Sequence, residues 1–379
     1  MMIAFISRKD LKNTTSGIPK KVLQEIALFN QLGFKSFAIA ETVNVEMVKE
    51  FNGIPIKTIK WPFSGYLRRW FYQHEFQRKV KRINPDIIIG HGDIVKQDVL
   101  FIHNCVHLAH ELINGCPLPN NHEVGKVHKK ILTQQDFKLL ICNSKIMRDD
   151  LMKRFNINPQ KVEVIYPEID LKRFTVSHPE SVRKEWRKKF SIPENHFVIG
   201  LVTSGNLKKR NLDLLIDAFT ELNKEYPHLH LFVASSSISP RYKKIILKNV
   251  TFAPTILDVK NYYALIDIFC LPAKIEEFGR SVLEAMFCEK PVIASQWVGA
   301  SEVLEGISRS LIMTSLTKEE LINKIKMLLD KSFYEKVQEL NKKTALKYSA
   351  SEQNKKFKEA LISHNILPHE LMNKKEDIS

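Results

Sequence analysis

An open α/β architecture in two successive parts is the fold class that this sequence predicts. Short β-branched or apolar runs alternate with amphipathic stretches along nearly the whole chain, which is the pattern of parallel sheets covered by helices. The alternation runs twice, once on each side of a polar, proline-containing segment at 167–195. With 379 residues and 44% hydrophobic content, the chain has enough apolar material for two ordinary cores. Two Rossmann-like domains follow, and in such open sheets ligands bind beyond the carboxyl ends of the strands. With two domains, the expected site is the cleft between them.

In order, the first part reads as strand MIAFIS, a helix over 18–32 stopped by Gly33, strand SFAIAE, a helix over about 45–51, and strand IPIKTIK. A helix over 65–82, strands DIIIG and VLFIH, and a helix around 121–136 come next. Strand KLLICNS, a helix over 145–155 and strand KVEVIYP complete it. The second part restarts with FVIGLVT, followed by a helix over 211–225 and the strands LHLFVAS and VTFAP. A helix over 258–265, strand DIFCLP, a helix over 279–288 and the strands PVIAS and SLIMT follow, and the remainder is mostly helical. A polar tail begins after Pro368.

Composition narrows the function classes. The longest apolar runs, such as IDIFCLPA, fall far short of the roughly 20 residues that a membrane span needs. The N-terminal stretch MMIAFISRKD has no charged region ahead of an apolar one, so a cleaved export signal is not expected. The five cysteines are odd in number and show no C-x-x-C spacing, which points to packed thiols in a reducing cytoplasm.

A formal charge of +16 suits a phosphorylated substrate, an anionic membrane or nucleic acid, and equally a plain solvated surface. The charge concentrates in 57–82, where Lys57, Lys60, Arg68, Arg69, Arg78, Lys79, Lys81 and Arg82 face one acid, Glu75, with seven aromatic residues interleaved. As a helix, this segment inclines Leu67, Trp70, Phe71 and Val80 to one side, a pattern suited to peripheral contact with anionic lipid headgroups. An ordinary domain helix with core aromatics would read the same way. No nucleic-acid recognition motif accompanies the charge, so no nucleic-acid partner is expected.

The stretch EEFGRSVLE places Glu276 in a loop at the end of a strand and Glu284 inside the helix that follows. Eight residues along one helix would separate them by about 12 Å. That is too far for a pair of glycosidase carboxylates acting on one bond, or for joint chelation of a metal. The N–H groups at the helix start favour an anion such as a diphosphate, with a carboxylate on each side for hydroxyl groups, although by spacing alone two unconnected surface glutamates are the plainer reading.

These residues carry a resemblance. The run FCLPAKIEEFGRSVLEAMFCEKPVIAS is similar to the donor-site signature of the family-4 retaining glycosyltransferases, which have the GT-B fold. ICNSKIMRDDLMKRFNINPQKVEVIYPEIDLKRF and NVTFAPTILDVKNYYALIDIFCLP resemble the family's neighbouring stretches, so the likeness covers roughly 1–345. It implies an acceptor domain over 1–170 and a nucleotide-sugar donor domain over 171–349, with a helix at about 350–366 packing back on the first.

Carried over by position, Glu276 would hold the donor sugar and Glu284 the nucleotide ribose. The amides of Phe278, Gly279 and Arg280 would face the diphosphate. The side chain of Arg280 has no implied role. Lys209 and Arg210 match the family's basic pair, which neutralises the leaving diphosphate. The family often keeps an arginine earlier in that loop, where this chain has Gly205, so the division of labour among Lys208, Lys209 and Arg210 stays open. Gly17, in NTTSGIPKKV, matches the phosphate- and acceptor-side loop of the first domain, and His103 matches a histidine close to the reacting sugar. His103, His107 and His110 also have a spacing that metal ligands can use, but no carboxylate or cysteine pair completes a site, and no D-x-D occurs.

The resemblance implies a metal-independent, retaining glycosyltransferase with no cofactor, the nucleotide sugar (UDP-linked) being a co-substrate. Its acceptor would be a glycan or glycolipid hydroxyl, in bacterial lipopolysaccharide or capsule synthesis at the inner face of the cytoplasmic membrane. A nucleotide-sugar epimerase or hydrolase, or a basic nucleic-acid-binding protein, is the alternative reading.

Overall fold

The structure is a computed structural model that describes residues 2–6, 11, 17–60, 62, 65–243 and 247–373. It divides into two compact units, one made of 1–165 and 354–379, the other of 166–353.

The first unit is built on a seven-stranded sheet in the order β3-β2-β1-β4-β5-β6-β7. Its strands are β1 (Met2–Ile6), β2 (Lys35–Ala40), β3 (Ile54–Lys57), β4 (Ile87–Gly90), β5 (Val99–Ile102), β6 (Leu139–Cys142) and β7 (Val162–Val164). Every pairing is parallel. Strands covered on both faces have no polar side to alternate with, which is why β5 and β6 read VLFI and LLIC and are buried throughout. The connecting helices are α1 (Gly17–Gln31), α2 (Val45–Glu50), α3 (Tyr66–Ile83), α4 (Val106–Asn114), α5 (Glu123–Gln134) and α6 (Lys145–Phe155). On α1, Val22, Leu23, Ile26 and Phe29 form one apolar stripe in the core of this unit.

The second unit holds a six-stranded parallel sheet in the order β10-β9-β8-β11-β12-β13. The strands are β8 (Phe197–Thr203), β9 (Leu229–Ser235), β10 (Val250–Ala253), β11 (Ile268–Leu271), β12 (Val292–Ser295) and β13 (Ile312–Met313). Its helices are α7 (Leu171–Phe174), α8 (Pro179–Lys189), α9 (Leu212–Glu225), α10 (Pro240–Lys243), α11 (Lys260–Leu265), α12 (Arg280–Phe287), α13 (Lys318–Met327) and α14 (Lys331–Leu346). The last long helix, α15 (Ala350–Ser363), returns the chain to the first unit, where Phe357 packs edge-on against Phe29 with ring centroids 6.0 Å apart.

The units divide at 165/166 rather than at the 170/171 read from the sequence. The physical reason is that Ile169 donates its N–H to Tyr348 O at 2.9 Å and lies in the second core. The polar segment 167–195 is likewise folded: Arg187 on α8 is buried and bonds Asp267 Oδ2 at 2.7 Å. Sequence periodicity missed α4, whose apolar positions follow directly on β5, although Gly115 at φ +70° marks its end. The apolar face of α3 is also not the one expected. Tyr72 and Phe76 are buried, while Leu67 and Trp70 point outward.

Candidate active site

Both sheets reverse their strand order at one point, between β1 and β4 in the first unit and between β8 and β11 in the second. The carboxyl ends of strands at such a switch point form the ligand crevice of a doubly wound sheet. The residues singled out from the sequence lie on the segments that follow β1 and β5 in the first unit and β8 and β11 in the second.

In the second unit, the loop after β8 carries the basic residues. Asn206 Oδ1 accepts from the N–H groups of Lys208 and Lys209 at 2.9 and 3.2 Å, closing a tight turn ahead of α9. Thr203 Oγ1 accepts from Gly205 N at 3.1 Å and from Arg210 Nε at 3.2 Å. Gly205 has a packing reason, since a Cβ there would lie 2.7 Å from Arg210 Nη2. Lys208 is exposed, whereas Lys209 and Arg210 turn toward the loop after β11.

That second loop is tied to the first by Lys274 N, which donates to Lys209 O at 3.0 Å. Lys209 Nζ bonds Glu277 Oε2 at 2.6 Å, and Arg210 Nη1 pairs with Glu276 Oε2. Glu276 is held on the other side by backbone bonds, its N–H to Trp297 O and its carbonyl from Gly299 N, both at 2.9 Å. Burial pushes the Glu276 carboxyl above the usual range, and Arg210, then Lys209, oppose that shift.

Gly279 takes φ +92°, a left-handed conformation that starts α12. A Cβ there would meet Glu276 Cγ and Val298 Cγ1 at 3.1 Å each. The first N–H groups of a helix have no partner within it and point outward from its start, an arrangement able to accept an anion. The Phe278 side chain is core, packed at 5.8 Å on Tyr166, so only its backbone is placed to meet a ligand. Arg280 reaches toward Glu168, with Nη2 3.6 Å from Oε1. Glu284 accepts a hydrogen bond from the Tyr263 hydroxyl at 2.7 Å. Tyr263 is fully buried on α11, and burial followed by the Glu284 charge holds its hydroxyl protonated.

In the first unit, Gly17 is the first residue of α1, and residues 12–16 of its loop lie outside the described residues. His103 follows β5 directly, and His91 follows β4 directly. Their rings are parallel within 4°, with His91 Nδ1 2.9 Å from His103 Nε2. His91 Nε2 in turn lies 3.2 Å from Glu25 Oε2 on α1. His107 and His110 go elsewhere, His107 edge-on to Phe155 and His110 Nδ1 to Cys116 O at 3.0 Å.

Two family models match the chain, "Glycosyltransferase Family 4" over 26–173 and "Glycosyl transferases group 1" over 198–331, so that most of both units is covered. The chain belongs to the family-4 glycosyltransferases. The D-inositol 3-phosphate glycosyltransferase of Salinispora arenicola is 27% identical over 224 residues, 50% of this chain and 48% of that protein. The mannosylfructose-phosphate synthase of Agrobacterium fabrum is 24% identical over 214 residues, 52% of this chain and 46% of its own. The chain thus spans about half the length of these curated relatives. Solved structures match far more of it. WaaG, a glycosyltransferase involved in lipopolysaccharide biosynthesis, superimposes with a TM-score of 0.76 at 18% identity, covering 95% of this chain and 99% of WaaG. Anabaena HepE in complex with UDP and glucose gives 0.74 at 18% identity, covering 96% and 100%. The fold is the GT-B fold.

Around Lys209, Arg210, Glu276, Glu284 and His103, which the sequence singled out, stand further residues that it did not. Tyr263, Asn206, Thr203 and Glu277 in the second unit, and Glu25 and His91 in the first, carry no motif of their own. Tyr263 could have been suspected, since a tyrosine hydroxyl buried in the helix ahead of β11 needs a partner.

Proposed function

We propose that this family-4 glycosyltransferase is a retaining, metal-independent enzyme that moves a sugar from a nucleotide diphosphate sugar, UDP-linked, to a hydroxyl of a glycan or glycolipid. The observation that carries this reading is the arrangement around Gly279: a left-handed helix start flanked by Glu276 with Arg210 and by Glu284 with Tyr263. A diphosphate at the helix start competes for Lys209 and Arg210, drawing them off Glu277 and Glu276 and leaving Glu276 to accept from sugar hydroxyls. Glu284, fixed by Tyr263, accepts from the ribose hydroxyls. As the bond from the sugar's anomeric carbon to the diphosphate oxygen breaks, charge builds on the leaving group. The two cations and the helix start are placed to stabilise it there. The acceptor oxygen bonds on the face that the diphosphate vacates. A place in lipopolysaccharide or other cell-envelope glycan synthesis fits the likeness to WaaG, and UDP as the nucleotide fits the likeness to HepE.

The test is a thermal-shift screen with UDP, UDP-glucose, GDP-mannose and inorganic diphosphate, followed by UDP release in the presence and absence of candidate acceptors. Stabilisation by uridine nucleotides is expected. No shift with any nucleotide would overturn the donor-site reading, and UDP release as fast without acceptor as with one would favour a hydrolase.

A peripheral membrane contact belongs to the same reading. On α3, Tyr66, Leu67, Trp70, His74, Arg78, Lys81 and Arg82 are exposed, apolar toward the helix start and basic toward its end. Arg68 and Arg69 do not contribute, being paired with Glu41 and with Asp93 and Glu123. Arg78 pairs with Glu75 at 3.0 Å, and the exposed apolar side chains together with Lys81 and Arg82 match the chemistry of an anionic lipid surface.

A further inference from the structure

We infer that Glu25 and His91 are positioning residues which fix the ring plane and the tautomer of His103. The inference rests on the proposed role of His103 as a sugar contact, and it adds two residues that neither the family motif nor the sequence singled out.

The three groups sit at the switch point of the first sheet. Glu25 comes from α1, which follows β1, and the two histidines stand at the carboxyl ends of the neighbouring strands β4 and β5. The carboxylate of Glu25 is 1% exposed, and neither of its oxygens has a hydrogen bond among the described residues. Such a group is costly to bury, and its surroundings should be arranged to meet it. What it faces is His91 Nε2 at 3.2 Å and Lys21 Nζ at 3.8 Å. The angle at His91 falls short of a hydrogen bond, but at this separation the carboxylate still favours a proton on Nε2 of that ring over a lone pair. Where Nε2 carries the only ring proton of His91, Nδ1 presents a lone pair. His103 Nε2, 2.9 Å away, must then be the donor. His103 is thereby left with its lone pair on Nδ1, which makes that atom an acceptor rather than a donor. Phe101 lies parallel to His91 within 9° and to His103 within 5°, so rotation of either ring is opposed by packing as well.

The test reads the tautomer directly, by nitrogen NMR of the full-length protein labelled at histidine, with His103 assigned from a His103→Gln spectrum. In the unaltered protein, His103 is expected to carry its proton on Nε2. Glu25→Gln keeps the shape but can donate to His91 Nε2, which drives the proton onto Nδ1 of both rings. His91→Phe removes the bias without touching Glu25, and serves if Glu25→Gln does not fold. UDP release from UDP-glucose is the second readout. It should fall by about 100-fold, as for a misplaced reacting group, with KM for UDP-glucose moving less than about twofold. Glu25→Asp should recover part of the rate. An unchanged His103 tautomer in both variants overturns the inference. A changed tautomer with unchanged UDP release supports the relay and overturns the placement of His103 at the substrate.

Discussion

Arg210, just ahead of α9, forms an ion pair with Glu276, in the loop after β11, across the point where the second sheet reverses its strand order. Each residue depends on the other. Burial raises the Glu276 carboxyl, and Arg210 is the largest influence holding it down. Removing Arg210 should therefore raise that carboxyl further. Because protonated Glu276 loses acceptor capacity toward sugar hydroxyls, the acid limb of turnover should move to higher pH in Arg210→Ala. Turnover at neutral pH should fall by about 10- to 150-fold, the worth of one charge-assisted hydrogen bond. A pH profile of UDP release measures both. An acid limb that stays in place would separate the ion pair from the chemistry.

The same carboxylate makes a statement about stability. A carboxyl raised above its unfolded value favours the folded state below that unfolded value, and loses this contribution as pH rises through the raised one. Above that raised value, the ionised Glu276 carboxylate stands at some cost to stability. Glu276→Gln is expected to melt no lower than the unaltered protein at neutral pH while its turnover falls and its affinity for UDP holds. Differential scanning calorimetry alongside UDP titration checks the sign.

Glu284 and Tyr263 divide binding from placement. Glu284→Ala should weaken UDP by about 1.5–3 kcal/mol, while the Tyr263 hydroxyl, buried and stripped of its acceptor, adds a stability loss. Tyr263→Phe leaves the carboxylate but removes one bond that orients it, so a smaller loss of UDP affinity, about 0.5–1.5 kcal/mol, is expected. Calorimetric titration of UDP into each variant tests the order. Equal losses would mean that Tyr263 does more than orient Glu284.

How much of this was legible in the sequence follows from where each signal lives. Parallel strands buried on both faces write themselves as short apolar runs, so β5, β6, β9 and β11 could be read off directly. Helix α4 could not, because its Val-His-Leu-Ala start carries no side-chain cap and continues the apolar run of β5. At the candidate site, Glu276, Gly279 and Glu284 were singled out by the resemblance of EEFGRSVLE to a family signature, since spacing alone left two unconnected glutamates as the plainer reading. Tyr263 and His91 were not, since each meets its partner through tertiary packing, 21 and 12 residues away along the chain. The two faces of α3 were confused for a related reason. Aromatic residues lie on both, and only contact with the sheet decides which are core.

Gly279→Ala tests whether the left-handed turn itself matters. An alanine at φ +92° costs about 1–2 kcal/mol in backbone strain, and its Cβ would press on Glu276 Cγ and Val298 Cγ1. Both effects push Glu276 away from Arg210 and tilt the start of α12. The variant should therefore lose turnover and UDP affinity together, unlike Glu276→Gln. Loss of thermal stability with both binding and turnover intact would show that the turn is structural only.

The surface of α3 gives the last expectation. Leu67 and Trp70 are 67% and 55% exposed, an unfavourable place for large apolar side chains unless something covers them. Lys81 and Arg82 continue the exposed surface toward the helix end, and each cation adds about 1 kcal/mol near an anionic bilayer. The protein should float with vesicles rich in anionic lipid and much less with neutral ones, with recovery falling as salt is raised. Leu67→Ser with Trp70→Ser should abolish the salt-resistant part of that binding, and Lys81→Glu with Arg82→Glu the salt-sensitive part. Neither pair should alter the UDP thermal shift, because α3 belongs to the first unit and the donor residues to the second. Equal recovery with neutral and anionic vesicles would sink the membrane reading and leave the site assignment untouched.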